Sequence, residues 1–110
     1  MSEADEIKRD GAVPQKNSGR GKVNKGDAII DGYWLVDYKE YPKGFTVNTA
    51  AWAKICTDAI RAGNYEPTLK IVLGEGTNKV RLFVLSEDEM NQYRALRLAA
   101  ESSTMENNND

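Results

Sequence analysis

The chain has 110 residues, of which 40% are hydrophobic and 29% are charged, and its formal net charge is −2. This length allows one domain with a modest core, and the composition is ordinary for a globular protein. The sequence has no histidine and a single cysteine, Cys56. These two facts exclude a Cys/His zinc site, a Ser-His-Asp triad and an internal disulfide.

No apolar run approaches the roughly 18 residues that a membrane span requires. The sequence is charged from Glu3 onward, which is not the pattern of a secretory signal. We therefore expect a cytoplasmic location and no membrane partner.

Basic residues are concentrated near the N-terminus. The segment from Lys8 to Lys25 contains six basic residues and one acid, Asp10, whereas acids cluster at 3–6, at 87–89 and in the C-terminal tail. Such asymmetry can give an acidic protein a cationic face that binds nucleic acid. A solvated basic arm accounts for the same pattern equally well.

The first segment of the chain favours loop. Residues 1–24 contain Gly11, Pro14 and few apolar side chains, which predicts a basic flexible arm. Ser2 and Asp5 form a possible start for a short helix, which Gly11 and Pro14 would end.

A hairpin and a helix follow. Strands are predicted at about 27–30 and 33–40, because both runs are rich in β-branched and aromatic residues and Asp31-Gly32 is a common turn pair. A helix is predicted from an Asn48 N-cap to a stop at Gly63, since apolar residues recur there at helical spacing. The remaining elements are strands at about 68–73 and 79–85, a helix at about 87–100 with a Ser86–Glu89 capping box, and a disordered polar tail at 102–110.

The predicted order is therefore arm-β-β-α-β-β-α, with the core domain at 25–101. This order is typical of an α/β (α+β) fold in which helices flank a small mixed sheet. Cys56 lies within the apolar stripe of the first predicted helix, so we expect it to be packed and inert.

The predicted hairpin carries charges at one end. Asp37 and Lys39 share a face of their strand, because strand side chains alternate. Whether Asp27 shares that face depends on the turn. A two-residue turn puts Asp27 on the wrong face, whereas an odd loop of residues 30–32 puts it opposite Leu35 and diagonal to Asp37. The sequence permits both turns, and a shared site requires the odd one.

Two explanations of these charges remain open. If Asp27 and Asp37 converge, a cation must offset the two like charges, and their oxygen ligands suit Mg²⁺ or Mn²⁺. Lys39 would then orient or deprotonate a water, or stabilise charge in the transition state. Alternatively, Asp27 caps a turn, and Asp37 and Lys39 form an ion pair that protects the edge of a sheet.

These residues resemble a known nuclease signature. The stretch "KGD" followed by "VDYK" resembles the PD-(D/E)xK superfamily, in which an Asp on one strand precedes Asp/Glu-x-Lys on the next. The preceding "NSGRGKVNKGD" is similar to the serine, basic-loop and Gly-Asp order of archaeal-type and bacteriophage Holliday-junction resolvases. A helix and a strand follow in those proteins, as "NTAAWAKICTDAIRAGNYEPTLKIVL" does here. The likeness covers about residues 15–85 and implies a restriction-endonuclease-like sheet.

The resemblance also implies a set of site residues. Asp27, Asp37 and the backbone carbonyl of Tyr38 would bind Mg²⁺, with Mn²⁺ as a substitute. Lys39 would be the catalytic lysine, and Ser18 would lie near the scissile phosphate. The residues implied for contacts with DNA phosphates are Lys16, Arg20, Lys22 and Lys25.

The sequence departs from the family pattern in two respects. The middle acid is Asp37, where glutamate is commoner, and no well-formed first helix supplies a glutamate beside the metal. Glu3 or Glu6 is a candidate for that third acid. Lys54, four residues before Asp58, is predicted to form an exposed helix pair, with a role in the site as the lesser alternative.

Three functions follow from these observations. The first is a metal-dependent DNA endonuclease that hydrolyses phosphodiester bonds in branched DNA, as Holliday-junction resolvases do. The second is a catalytically weak or inactive DNA-binding protein on the same fold, and the third is an unrelated α/β interaction module. For the first, DNA and a second copy of the chain in a symmetric homodimer are the expected partners, because branched DNA presents two backbones.

Overall fold

A computed structural model describes residues 3–17 and 22–108 of the chain. The elements are α1 (Glu3–Arg9), β1 (Val13–Asn17), β2 (Lys22–Ile30), β3 (Trp34–Glu40), α2 (Thr49–Gly63), β4 (Glu66–Leu73), β5 (Val80–Val84) and α3 (Glu87–Asn108). The five strands form one sheet in the order β1-β2-β3-β4-β5. The predicted class, an α/β (α+β) fold with helices flanking a small mixed sheet, is confirmed.

The sheet is mixed because one pair of neighbours is parallel. β2 runs antiparallel to both β1 and β3, β3 and β4 are parallel, and β5 returns antiparallel to β4. Parallel neighbours need a crossover connection, and α2 supplies it between β3 and β4. This connection places α2 against one face of the central strands.

The central strand β3 is covered on both faces, and its residues 35–38 are all buried. Val36 and Tyr38 pack with Ile7 of α1 on one face. Leu35 and Asp37 alternate with them and lie on the face that α2 covers. The α1 face and the α2 face are therefore the two opposite sides of the sheet, and they are distinct environments.

α2 has defined signals at both ends. Asn48 is its N-cap as predicted, and its side-chain oxygen accepts the amide of Ala51 at 2.8 Å. The helix includes Gly63, and the following Asn64 takes the left-handed conformation, with φ of 59°. The Tyr65 amide then donates to the Ala59 carbonyl at 3.0 Å, which satisfies an otherwise free carbonyl at the helix end.

α3 begins at the predicted capping residue but uses its glutamate differently. The Ser86 hydroxyl accepts the Glu89 amide at 3.1 Å, which is half of a capping box. The buried carboxylate of Glu89 instead accepts from Trp34 Nε1 at 2.7 Å and from the Tyr33 hydroxyl at 3.2 Å. These bonds attach the first turn of α3 to the start of β3, whereas residues 90–103 are exposed.

The prediction of a flexible arm at 1–24 is wrong for most of that segment. α1 and β1 both lie within it, and β2 already begins at Lys22. The helix start that Ser2 and Asp5 indicated agrees with α1, whereas β1 was not predicted. Pro14 contributed to the prediction of loop here, but β1 is at the edge of the sheet, where a missing amide is tolerated.

The predicted tail and element order also need correction. α3 continues to Asn108, whereas the sequence predicted a helix to about 100 and a disordered tail at 102–110. An ion pair of 3.2 Å between Arg97 and Glu101, four residues apart, supports the helix near the predicted boundary. The observed order is α-β-β-β-α-β-β-α rather than arm-β-β-α-β-β-α.

Candidate functional site

The turn between β2 and β3 decides whether the two aspartates share a face. Asp31 and Gly32 both have positive φ, 55° and 64°, and the Tyr33 amide donates to the Ile30 carbonyl at 3.0 Å. Strand pairing resumes between Ile30 and Trp34, so the loop contains three residues, 31–33. The odd loop that a shared site requires is therefore present.

The hairpin has the predicted odd loop, but its three loop residues are 31–33 rather than 30–32. Asp27 pairs directly with Asp37, whereas the sequence placed it opposite Leu35 and diagonal to Asp37. The third loop residue is therefore Tyr33 and not Ile30. The Tyr33 carbonyl accepts the Glu66 amide at 2.9 Å. This bond ties Tyr33 to the start of β4, and the two carboxylates consequently lie closer than the diagonal arrangement would place them.

Asp27 and Asp37 form a buried pair of acids beneath α2. Each residue is only 6% exposed. Lys39, two residues beyond Asp37 on the same face, has its Nζ 3.4 Å from Asp37 Oδ2. The lysine also lies 5.8 Å from the centre of the Phe45 ring, in the loop that follows β3. The structure thus brings together three of the predicted catalytic residues.

The pKa values of both aspartates reflect this crowding. Burial, followed by the charges of Asp37 and Asp58, raises the pKa of Asp27 from its ordinary 3.8 to about 7. Burial also raises the pKa of Asp37, and the positive charges of Lys39 and Lys54 oppose that rise. Below about pH 7 the raised pKa of Asp27 favours its protonated form, and a divalent cation, which favours the ionised pair, would compete with that proton.

α2 contributes charge to the same site. Lys54 and Asp58 form the predicted ion pair, with Nζ and Oδ2 2.9 Å apart, and the lysine is well exposed. Their charges nevertheless act on both buried aspartates: Lys54 favours ionisation of each, and Asp58 opposes that of Asp27. The lesser alternative for Lys54, a place near the site, agrees with this geometry.

The third acid is not supplied by α1. Glu6 lies on the α1 face, where Arg81 Nε donates to it at 2.9 Å and Lys70 Nζ is 3.1 Å away. Glu3 is on the same short helix. The candidate role of Glu6 in the metal site is therefore wrong. In the described part of the chain, no three Asp, Glu, Cys or His residues are grouped to hold a metal.

The donor set that remains still fits one hard cation. Mg²⁺ binds through one or two carboxylates, keeps several waters and takes further ligands from a substrate phosphate. Asp27 and Asp37 supply two such carboxylates on adjacent strands. The side chain of Tyr38 points to the α1 face, where its hydroxyl donates to Asp10 at 2.9 Å, so only its backbone carbonyl is a candidate ligand.

The explanation of these charges as an edge device is wrong. β2 and β3 are the second and third of five strands, so neither is an edge. Asp27 lies within β2, four residues before the turn, and does not cap it. The ion pair between Asp37 and Lys39 is real, but it lies on a central strand, with Asp37 buried and Lys39 partly exposed, rather than at a sheet edge.

The predicted DNA-binding residues are only partly described. Ser18 and Arg20 lie outside the described residues. The backbone places Lys16 in β1, and Lys22 and Lys25 in β2, where Lys25 is two residues before Asp27. Their contacts with DNA remain predictions.

One cluster on the α1 face was missed by the sequence analysis. Lys70 is 1% exposed, and its Nζ lies 2.7 Å from Asp10 and 3.1 Å from Glu6. Arg81 pairs with the same glutamate. A signal was present, because Lys70 interrupts the apolar run "TLKIVL", just as Asp37 interrupts β3. Its partners come from the other end of the chain and have no local pattern.

No helix among the described residues is long and apolar enough to cross a membrane. Comparisons of the chain with protein-family models, with curated proteins and with solved structures found no match.

Proposed function

We propose that the protein is a metal-dependent DNA endonuclease that hydrolyses phosphodiester bonds in branched DNA. The observation that carries this proposal is the direct pairing of Asp27 with Asp37 beneath α2, with Lys39 on the same face. The sequence signature requires Asp27 and Asp37 to share a face, and a two-residue turn would have placed them on opposite faces. The order of the parts, from the Asp strand through the Asp-x-Lys strand to a helix, supports the same proposal.

The proposed roles follow from charge and position. Asp27 and Asp37 would hold Mg²⁺, or Mn²⁺ in its place, with the Tyr38 carbonyl as a further candidate ligand. The ion, when bound, polarises the scissile phosphate and acidifies a water. Lys39 orients that water and offsets negative charge that develops on the phosphate. Its place beside Asp37 keeps the ammonium within reach of the same phosphate.

DNA is the proposed partner, and its backbone is the proposed contact. Ser18 would lie at the scissile phosphate, and Lys16, Arg20, Lys22 and Lys25 would bind neighbouring phosphates. A symmetric homodimer would present two such sites to two strands of a junction. We propose a cytoplasmic location for this activity.

A second candidate function is a DNA-binding protein with weak or no catalysis. It is favoured by one observation: the described residues provide two acids at the site rather than three. Catalysis and binding must therefore be measured separately.

The test is a cleavage assay on a labelled four-way junction and on its matching linear duplex, in Mg²⁺ and in EDTA. We expect Mg²⁺-dependent paired nicks in the junction, and a loss of about 10²–10⁴-fold in Lys39→Ala, the usual contribution of such a group. Lys8→Ala is the matched control, because Lys8 is an exposed lysine on α1, across the sheet.

The outcomes separate the candidates. Junction binding without cleavage, equal in wild type and Lys39→Ala, would support the non-catalytic DNA-binding protein. The absence of both binding and cleavage would leave the aspartate pair without a nucleic-acid role. Equal losses in Lys39→Ala and Lys8→Ala would indicate a general charge effect rather than a catalytic lysine.

A further inference from the structure

β5 is an edge strand with an unusually apolar surface. It is the last strand of the sheet, and its outer side is not paired within the described part of the chain. Val80, Leu82 and Phe83 are 50%, 45% and 51% exposed. Because side chains alternate along a strand, apolar surface is presented on both faces of this edge. Exposed apolar edges of this kind are templates for pairing with another strand.

The opposite edge of the same sheet is protected. β1 contains Pro14 and a register shift between Pro14 and Lys16. A proline and an irregularity in the ladder are both devices that prevent edge-to-edge association. β5 has neither, so the two edges of this sheet differ in the feature that controls pairing.

The one charge in β5 does not guard its edge. Arg81 turns toward α1, where its Nε and Nη2 donate to Glu6 at 2.9 and 3.2 Å. Its guanidinium is thus committed to an intramolecular ion pair on the α1 face. The remaining residues of the strand are Val, Leu, Phe and Val.

We propose that β5 pairs antiparallel with β5 of a second copy of this chain, across a two-fold axis at Leu82. The sequence "VRLFV" is nearly self-complementary in that register. Leu82 would face the partner's Leu82, and Val80 would face the partner's Val84. On the other face, Arg81 would lie against the ring of the partner's Phe83, a favourable contact between a cation and an aromatic ring.

Apolar surface beside the strand extends the interface. A cleft of about 250 Å³ opens next to β5 on the α1 face, and Phe83, Leu85, Trp34 and Tyr93 are among its lining residues. Specific interfaces bury about 1,200–2,000 Å² in total, which is more than a short strand supplies by itself. This cleft extends inward from Phe83 across β4 and β3, and its part beside Phe83 would supply further apolar area to a partner at the edge.

A second copy fits this edge better than an unrelated peptide. A two-fold axis through Leu82 satisfies both faces of the strand at once, and the same surface serves both chains. The proposed dimer does not depend on the proposed nuclease activity. The association of the two chains can be measured without DNA. If both hold, the dimer is the one that presents two sites to a junction.

The first test is the solution mass of the full chain by light scattering after size exclusion, in EDTA and without DNA. We expect twice the 12.2 kDa of one chain. Leu82→Lys puts a charge at the axis and should give a monomer. Leu98→Lys is the matched control, because Leu98 is 62% exposed on α3, away from the edge, and it should leave the dimer intact.

A cross-link keeps the test decisive if Leu82→Lys fails to fold. In a Cys56→Ser background, the Leu82→Cys variant should form a disulfide between position 82 of the two copies on mild oxidation. Opposed residues of antiparallel strands have Cα atoms about 4.5–5.5 Å apart, which suits a disulfide. Leu98→Cys should not. A monomeric wild type, a dimer unchanged by Leu82→Lys, or equal cross-linking of the two cysteines would each overturn the proposal.

Discussion

Burial of Asp27 beside Asp37 makes the ionised form of its carboxyl group costly, and its pKa rises to about 7. In the unfolded chain an aspartate ionises near pH 4. Between about pH 4 and pH 7 the folded state therefore holds a proton that the unfolded state has lost. The free energy of unfolding consequently falls as pH rises through this interval.

We expect Asp27→Asn to raise the free energy of unfolding by about 2–4 kcal/mol at about pH 8 in EDTA, and to change it little at about pH 4. The amide keeps the shape of the side chain and removes the buried charge. Urea unfolding at both pH values measures the difference. Asp31→Asn is the control, because Asp31 is exposed in the turn and asparagine tolerates its positive φ. An equal gain at both pH values would show that ionisation is not the cause.

At this scale the sequence predicted some residues well. The shared face of Asp37 and Lys39 follows from alternation alone, and the structure confirms it. The position of Asp27 was conditional on the turn, because an Asp-Gly pair is compatible with loops of either parity. Glu6 was one of two candidates for the third acid, and nothing in the sequence indicated its ion pair with Arg81, because Arg81 lies 75 residues away and no local pattern connects them.

α1 is an element held in place by its partners rather than by its own sequence. It has seven residues, fewer than a helix needs for stability in water. Lys70 of β4 binds Glu6 within α1 and Asp10 just beyond it. Because Lys70 is buried, its removal leaves Asp10 without its nearest cation and leaves Glu6 paired with Arg81 alone.

We expect Lys70→Met to lower the free energy of unfolding by about 3–5 kcal/mol at neutral pH, the usual cost of removing one partner from a buried ion pair. Methionine keeps most of the side-chain volume, so lost packing contributes little. Thermal unfolding at about pH 7 measures the effect. Lys54→Met, which breaks an exposed pair, should cost no more than about 0.5 kcal/mol. Similar losses in the two variants would contradict a special role for Lys70.

The elements that the sequence predicted are those with local signals. The hairpin of β2 and β3 and the helix α2 show their periodicity, turn or caps within a short window. β1 has no such signal, because its pairing with β2 is what makes it a strand. The sequence predicts too early an end for α3, because the segment from Glu101 to Asn108 is polar and rich in Ser, Thr and Asn, yet it continues the helix.

On the scale of the whole molecule, two opposed titrations act on stability. The hydrogen bond from Arg81, with further help from Lys70, lowers the pKa of Glu6 to about 2. Its stabilising effect is complete above about pH 4.5 and is lost as pH falls toward 2. The effect of Asp27 has the opposite sign and is lost as pH rises toward 7. Protonation on the α1 face therefore lowers the free energy of unfolding at acid pH, and ionisation on the α2 face lowers it at neutral pH.

We expect the melting temperature in EDTA to be highest near about pH 4–5, between these two intervals. Mg²⁺ should shift that maximum toward neutral pH, because a cation binds the ionised pair and removes its repulsion. Calorimetric scans across the pH range, with and without Mg²⁺, measure both effects. In Asp27→Asn the Mg²⁺ shift should disappear. A maximum already near pH 7 in EDTA would contradict the burial of an ionisable pair.

The three-residue turn at 31–33 has a consequence for how this site is inherited. The aspartates face each other because the loop between their strands is odd. An insertion or deletion of one residue in the loop would move one carboxylate to the α1 face, although all residues of the motif would remain in the sequence. Descendants that keep the site must therefore change this loop two residues at a time, and those that change it by one lose the site with its signature intact.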